Sequence, residues 1–265
     1  MYSSFQLAKK YLRYYLSASN SKGHGMHSPF VFDFILCILN NKNNYGPPVK
    51  IEALRHQLLA DTRIIEIEDL GAGSRVAASK KRSIKQLATT ALKSRKYAQL
   101  LFRLVKHYQP KRIIELGTSL GITTSYLAAA NPTSQITTIE GSKAVAAIAR
   151  DNFEKLSLKN IQLLQGNFDE HLSSAIHQLS LIDLAYIDGN HRYEPTIRYF
   201  HHLLPYLHNN SILIFDDIHW SEEMERAWEE IKGHASVRYT IDIFFLGFVF
   251  FRQEFKVKQH FCIRF

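Results

Sequence analysis

Arg112-Ile113-Ile114-Glu115-Leu116-Gly117-Thr118-Ser119-Leu120-Gly121 is the most informative segment of the chain. Arg112 to Leu116 is a short, branched, apolar run stopped by a glycine, the pattern of a buried strand. Gly117 lets the backbone turn sharply, and Gly121 lets a ligand or the strand lie against the start of the helix that follows. The spacing is Gly-x-x-x-Gly, not the Gly-x-Gly-x-x-Gly of a dinucleotide turn, and no Gly-Lys-Ser/Thr follows to make a phosphate-cradling loop. A strand-to-helix turn needs no ligand, so its meaning rests on what lies around it.

Toward the C-terminus the rhythm repeats. Strand-like runs fall at Arg112–Leu116, Gln135–Glu140, Ile161–Gln165, Leu184–Asp188 and Ser211–Phe215, with helical segments near Ile122–Ala130, Lys143–Leu156, Phe168–His177 and Thr196–Leu207. Val237–Ile243 and Gly247–Arg252 read as two further strands around a tight turn at Leu246-Gly247, after a helix through Trp228. Alternation of this kind predicts an α/β fold: a Rossmann-like, doubly wound, mostly parallel seven-stranded sheet with a C-terminal antiparallel hairpin. Ligands bind such sheets at the carboxyl ends of the strands.

The residues at those ends carry chemistry. Glu140, followed by Gly141, stands 23 residues after Gly117 at the tip of the next strand, where a carboxylate accepts the hydroxyls of a ribose. The third strand ends in Gly166-Asn167-Phe168, an amide and a ring suited to the edge and face of adenine, although a Gly-Asn turn forms without a ligand too. Asp188 ends the fourth strand and Asp216-Asp217 the fifth. Three carboxylates at neighbouring tips repel one another unless a cation lies between them, and an all-oxygen set suits a hard ion such as Mg²⁺; each aspartate alone could equally cap the next helix. His191, three residues past Asp188, is the natural general base there.

Toward the N-terminus the chain reads as mainly helical. Apolar residues recur every three or four positions from Phe5 to Leu16; Ser28-Pro29 opens a helix to about Leu39; Asn40 to Pro48 is a loop by composition; helix resumes from Val49 to Ala60. Arg63–Glu68 alternates like a short strand, and helices near Ile84–Lys93 and Tyr97–Tyr108 end before Pro110. Asp69-Leu70-Gly71-Ala72-Gly73-Ser74 mimics a cofactor turn, but no acid follows at the ribose distance, so it is read as a loop over cofactor or substrate. His24 and His27 lie in a loop with no further ligands near them in sequence.

Charge follows the same division. Of the formal +9, residues 1–110 hold a net +12 and the rest a net −3, and no acid occurs between Asp69 and Glu115. That basic region is either a solvated helical face or a surface for RNA, anionic lipid or an acidic partner. Hydrophobic residues at 46% and charged residues at 22% exclude a disordered or collagen-like chain. Cys37 and Cys262 form no disulfide framework. The longest apolar run, Ile243 to Phe251, is about half a membrane span. No membrane span and a cytoplasmic location are therefore expected. Trp220, Trp228 and the Phe244–Phe251 aromatics are expected in the core, and the C-terminal strands offer an edge for a homodimer.

In the order Glu115-x-Gly117-x-x-x-Gly121, Glu140, Asp188, Asp216-Asp217, the chain resembles class I S-adenosylmethionine-dependent methyltransferases, from about Lys111 to Arg252. Ile187-Asp188-Gly189-Asn190-His191-x-Tyr193-Glu194 with Phe215-Asp216-Asp217 resembles more narrowly the metal-dependent O-methyltransferases of catechol and macrocin type. The resemblance implies S-adenosyl-L-methionine bound by Glu115, Gly117, Thr118, Ser119, Gly121, Glu140, Gly141, Asn167, Phe168 and Asp188. It implies Mg²⁺ on Asp188, Asp216 and Asp217, His191 and Asp188 as catalytic residues, and O-methylation of a hydroxylated small molecule. An RNA nucleoside is the alternative acceptor, and a non-catalytic cofactor-binding module the alternative role. The expected division is a basic, mainly helical extension, 1–94, and a methyltransferase domain, 95–265.

Overall fold

The computed structural model describes residues 1–23, 25–41, 48–67 and 81–265. The Asp69–Ser74 glycine loop, Arg75, Lys80, His24 and most of the Asn40–Pro48 loop lie outside the described residues. Backbone contacts divide the chain into two compact units, one of residues 41–177 and one of 1–40 together with 178–265.

The 41–177 unit starts with α3 (Val49–Ala60), the short antiparallel pair β1 (Ile64–Glu66) and β2 (Lys81–Ser83), α4 (Ile84–Ala91) and α5 (Arg95–Tyr108). Ser83 and Gln86 cap α4 reciprocally, each side chain taking the other's backbone N–H. Then come β3 (Arg112–Leu116), α6 (Ile122–Ala130), β4 (Gln135–Glu140), α7 (Lys143–Lys155), β5 (Ile161–Gln165) and α8 (Phe168–Leu179). The three strands are parallel, in the order β3-β4-β5, and their bounds are those read from the sequence. Leu54, Leu87, Ala98, Ile122 and Tyr126 pack into one buried cluster that fixes the helices beside the sheet. Inside it, Tyr126 donates to Glu52, Arg55 approaches the same carboxylate at 3.4 Å, and Arg55 also donates to Lys93 O at 2.8 Å. The basic region is thus not one continuous solvated face: Arg103 is buried, whereas Lys81, Lys85, Arg95, Lys96 and Lys106 are exposed.

The other unit holds α1 (Ser4–Ser17) and α2 (Pro29–Phe34), capped by Ser28 with Pro29 in its first turn as expected. The expected continuation to Leu39 is a π-helical turn, Ile35–Leu39. Its strands are β6 (Ile182–Ile187), β7 (Leu207–Asp216), β8 (Tyr239–Asp242), β9 (Leu246–Phe250) and β10 (Gln259–Cys262), with α9 (Tyr193–Leu203) and α10 (Glu222–Gly233) between them. β6 and β7 are parallel, β9 runs antiparallel to both β7 and β8, and β10 pairs parallel with β8.

Two expectations about these strands need correction. The expected C-terminal hairpin is not the last of the strands: β10 pairs with β8 and adds a short edge that the sequence did not signal. The hairpin turn is not at Leu246-Gly247, which lie inside β9. It is at Ile243–Phe245, closed by Ile243 N–H to Leu246 O at 3.0 Å, with Phe244 at φ 72. Gly247 serves packing: a Cβ there would sit 2.7 Å from the Trp228 ring.

Candidate functional site

In the 41–177 unit, strand register sets the rim. Leu116 pairs with Ile139 and Glu140 with Gln165, so Gly117, Glu140 and Gly166 follow one another across the carboxyl ends of β3, β4 and β5. Main-chain bonds lock this arrangement: Gly117 N–H and Thr118 N–H both donate to Ile139 O, and Gly166 N–H donates to Glu140 O at 2.9 Å. Gly117 has φ 102 and Gly166 φ 146, conformations that side chains resist. The Glu140 carboxylate is held from both sides by backbone amides, Ser119 N–H on Oε2 at 2.8 Å and Ser142 N–H on Oε1 at 3.0 Å. Ser119 has φ 50.

Other expected cofactor residues serve the rim in different ways. Glu115 is fully buried, and its Oε2 accepts from Thr124 Oγ1 at 2.5 Å and Thr138 Oγ1 at 2.7 Å. Thr118 Oγ1 lies 2.6 Å from Thr138 Oγ1, so the acid braces the turn through hydroxyls. Gly121, at φ 79, opens α6 where a Cβ would fall 2.6 Å from the Phe153 ring. Its close neighbour is therefore α7 of this same unit. Gly141 O accepts from Gln165 Nε2 at 3.2 Å. Asn167 Oδ1 accepts from Asp169 N–H at 3.0 Å, capping α8, and Phe168 begins that helix half-buried.

In the other unit, Ile187 pairs with Phe215, which sets Asp188 beside Asp216 at the ends of two parallel strands. Neighbouring strands lie about 4.8 Å apart. Asp188 Oδ2 accepts from Tyr186 OH at 3.1 Å, and Oδ1 faces His191 Nε2 at 3.5 Å, both side chains about one-fifth exposed. Asn190, at φ 61, turns the chain between them and donates to Tyr199 OH at 2.8 Å. Asp216 is 1% exposed; Asp217, at φ 52, donates its N–H to Phe245 O at 2.7 Å. Among the described residues, no three His, Cys, Asp or Glu side chains come together as a metal-ligating group. Trp220, expected in the core with Trp228, is only half-buried, and its ring centroid lies 6.5 Å from that of His191.

A charged cluster beside this rim escaped the sequence reading. His219 Nδ1 meets Glu225 Oε1 at 3.0 Å and Nε2 meets Asp242 Oδ2 at 2.8 Å. Burial opposes the charged ring, but the two carboxylates outweigh it and raise its pKa to about 9. Burial likewise opposes charge on Glu225, yet His219, Lys10 and Tyr2 together hold its pKa down to about 2. Lys10 reaches Glu225 at 2.9 Å, Tyr2 OH donates to it at 2.7 Å, and Tyr2 N–H donates to Trp220 O at 3.1 Å. These partners lie more than 200 residues apart, so no local pattern announces them.

Within each unit, parallel strands carry acids and glycines at their carboxyl ends, as expected from the sequence. Residues 114–218 match the family described as Methyltransferase domain. The release factor glutamine methyltransferase of Escherichia coli (strain K12) is 30% identical over 105 residues, 37% of this chain and 37% of that protein. The match thus spans little more than a third of that curated relative. An S-adenosylhomocysteine-bound methyltransferase of Podospora anserina, PaMTH1, superposes with a TM-score of 0.62 at 16% identity, over 85% of this chain and 97% of that one. An O-methyltransferase from Bacillus cereus in complex with S-adenosylhomocysteine gives 0.58 at 18% identity, over 81% and 96%. At such identities these likenesses establish the shared fold. Among the described residues no helix is long and apolar enough to cross a membrane.

Proposed function

We propose that this protein is an S-adenosylmethionine-dependent O-methyltransferase acting on a hydroxylated acceptor, with residues 95–265 as its methyltransferase domain. The observation that carries the proposal is the rim of β3–β5, where Glu140 is presented by two backbone amides next to the Gly117 turn. An ionised carboxylate so fixed accepts hydrogen bonds from ribose hydroxyls without first having to be ordered. Asn167 and Phe168, at the next strand end, would hold adenine, and the Gly117–Gly121 turn would carry the amino-acid end. Bound there, the cofactor supplies a methyl group on a positively charged sulfur, already activated for transfer.

What the protein adds is alignment and a proton acceptor. With Nε2 facing Asp188, His191 takes the acceptor's hydroxyl proton at Nδ1, and the Asp188 carboxylate stabilises the imidazolium that forms. The half-buried Trp220 ring flanks the same histidine. Mg²⁺ on Asp188, Asp216 and Asp217 would bind the acceptor oxygen and acidify it. The described side chains as arranged do not make that three-ligand group, and Asp188 is engaged by Tyr186 and His191. Exposed Lys81, Lys85, Arg95 and Lys96 favour an anionic acceptor, RNA included; binding driven by phosphates falls steeply as salt rises, whereas that of a small neutral hydroxyl compound does not.

The test is a methylation screen against catechols, sugars and RNA, with and without EDTA, read by mass spectrometry. O-methyl product formed in a His191-dependent way supports the proposal. Cofactor binding with no product on any acceptor class would favour the non-catalytic module.

A further inference from the structure

The outer face of α1 is finished in a way that packing does not require. The inner face is fully engaged within its unit: Tyr14 is buried against Phe244 and donates to Ile263 O at 2.5 Å, Tyr11 stacks on Phe245, and Lys10 pairs with Glu225. On the opposite side Phe5, Leu12 and Leu16 are 80%, 57% and 69% exposed. Their spacings of seven and four place them in one line along the helix. Lys9 and Arg13 are exposed on the shoulder of that line, and Arg264 lies over the Tyr15 ring beside it, donating to Leu16 O. No acid occurs in the chain before Asp33.

We propose that α1 docks this face on an anionic lipid surface, with Phe5, Leu12 and Leu16 entering the headgroup boundary and Lys9 and Arg13 meeting lipid phosphates. An apolar line flanked only by cations is the composition of a helix lying in a membrane interface. A second copy of the chain fits less well. A two-fold contact through this face would set Lys9 and Arg13 of one copy against the same residues of the other, with no acid to offset them. The helix is already anchored along its inner face, so it need not fold on contact and its outer side chains are presented in register.

The test is co-sedimentation of the full chain with vesicles of phosphatidylcholine alone and of phosphatidylcholine with about one-third phosphatidylglycerol. Each basic residue near an anionic surface contributes about fivefold in affinity, so binding at least about tenfold tighter to the anionic vesicles is expected. Lys9→Glu with Arg13→Glu should remove that preference, and Phe5→Ser with Leu12→Ser and Leu16→Ser should abolish binding. All five positions are exposed, and an unchanged far-UV spectrum and melting temperature will show that the variants fold. Failure of the wild type to bind anionic vesicles, equal binding to both vesicle types, or undiminished binding by either variant overturns the proposal. So does a dimer in light scattering that the triple serine variant dissolves, which would assign the face to a second copy.

Discussion

The two strand-end rims are fastened by different means. In the 41–177 unit the rim is tied by main-chain amides: Gly117, Thr118, Ser119, Ser142 and Gly166 each donate a backbone N–H to Ile139 or Glu140. In the other unit side chains add to the ties, with His219 between Asp242 and Glu225, and Glu225 held again by Lys10 and Tyr2 from more than 200 residues away. The main-chain bonds to Ile139 O and Glu140 O do not titrate. A rim fastened by ionised side chains responds to pH and to single substitutions.

The sharpest way to test this contrast is chemical. His191→Ala should lower turnover by about 10²–10⁴-fold while leaving affinity for S-adenosylhomocysteine unchanged, because no bond that holds Glu140 or the Gly117 turn involves His191. Single-turnover rates with calorimetry separate the two effects, and a parallel loss of affinity would mean the rims are not functionally distinct. Next in size, Gly121→Ala places a Cβ at 2.6 Å from Phe153 on a left-handed backbone and should cost about 2–3 kcal/mol in urea unfolding. A neutral result would show that α6 and α7 can part without harm.

His219→Gln should cost about 2 kcal/mol, with a pH signature of its own. The His219 pKa is raised, so its contribution is complete below 6.5 and lost as pH rises through about 9. The Glu225 pKa is lowered, so its contribution is complete above 4.5 and lost as pH falls through about 2. Melting temperature should therefore crest between about 4.5 and 6.5 on account of this cluster, and its alkaline decline should flatten in the variant. The smallest expected effect is on Glu140→Gln, which keeps the shape but loses the charge and should weaken cofactor binding about tenfold, or roughly 1.4 kcal/mol. A larger loss of acceptor affinity than of cofactor affinity would place Glu140 on the wrong side of the comparison.

The same contrast explains what the sequence could convey. β3, β4, β5 and α6 fall on the residues read for them, because each is a short apolar run or a helix stopped by glycine or polar residues. Glu140 was legible as a rim residue because its place depends on the next strand and on amides nearby. β10 was not legible: Gln259–Cys262 has no apolar run and exists by pairing with β8. The hairpin turn falls away from the glycine that ordinarily signals one. Gly247 is needed for the Trp228 ring, while Phe244 takes the left-handed conformation, held by Asp242 Oδ1 accepting its N–H at 2.7 Å. Part of the His219 cluster lay hidden for a similar reason, since Tyr2 and Lys10 reach Glu225 from more than 200 residues away.

The most direct measurement is isothermal titration of S-adenosylhomocysteine into the wild-type chain. A saturable heat at one site per chain, greatly weakened by Glu140→Ala, is the predicted result. No saturable heat, or an isotherm indifferent to loss of that carboxylate, would contradict the assignment of the β3–β5 rim as the cofactor cradle.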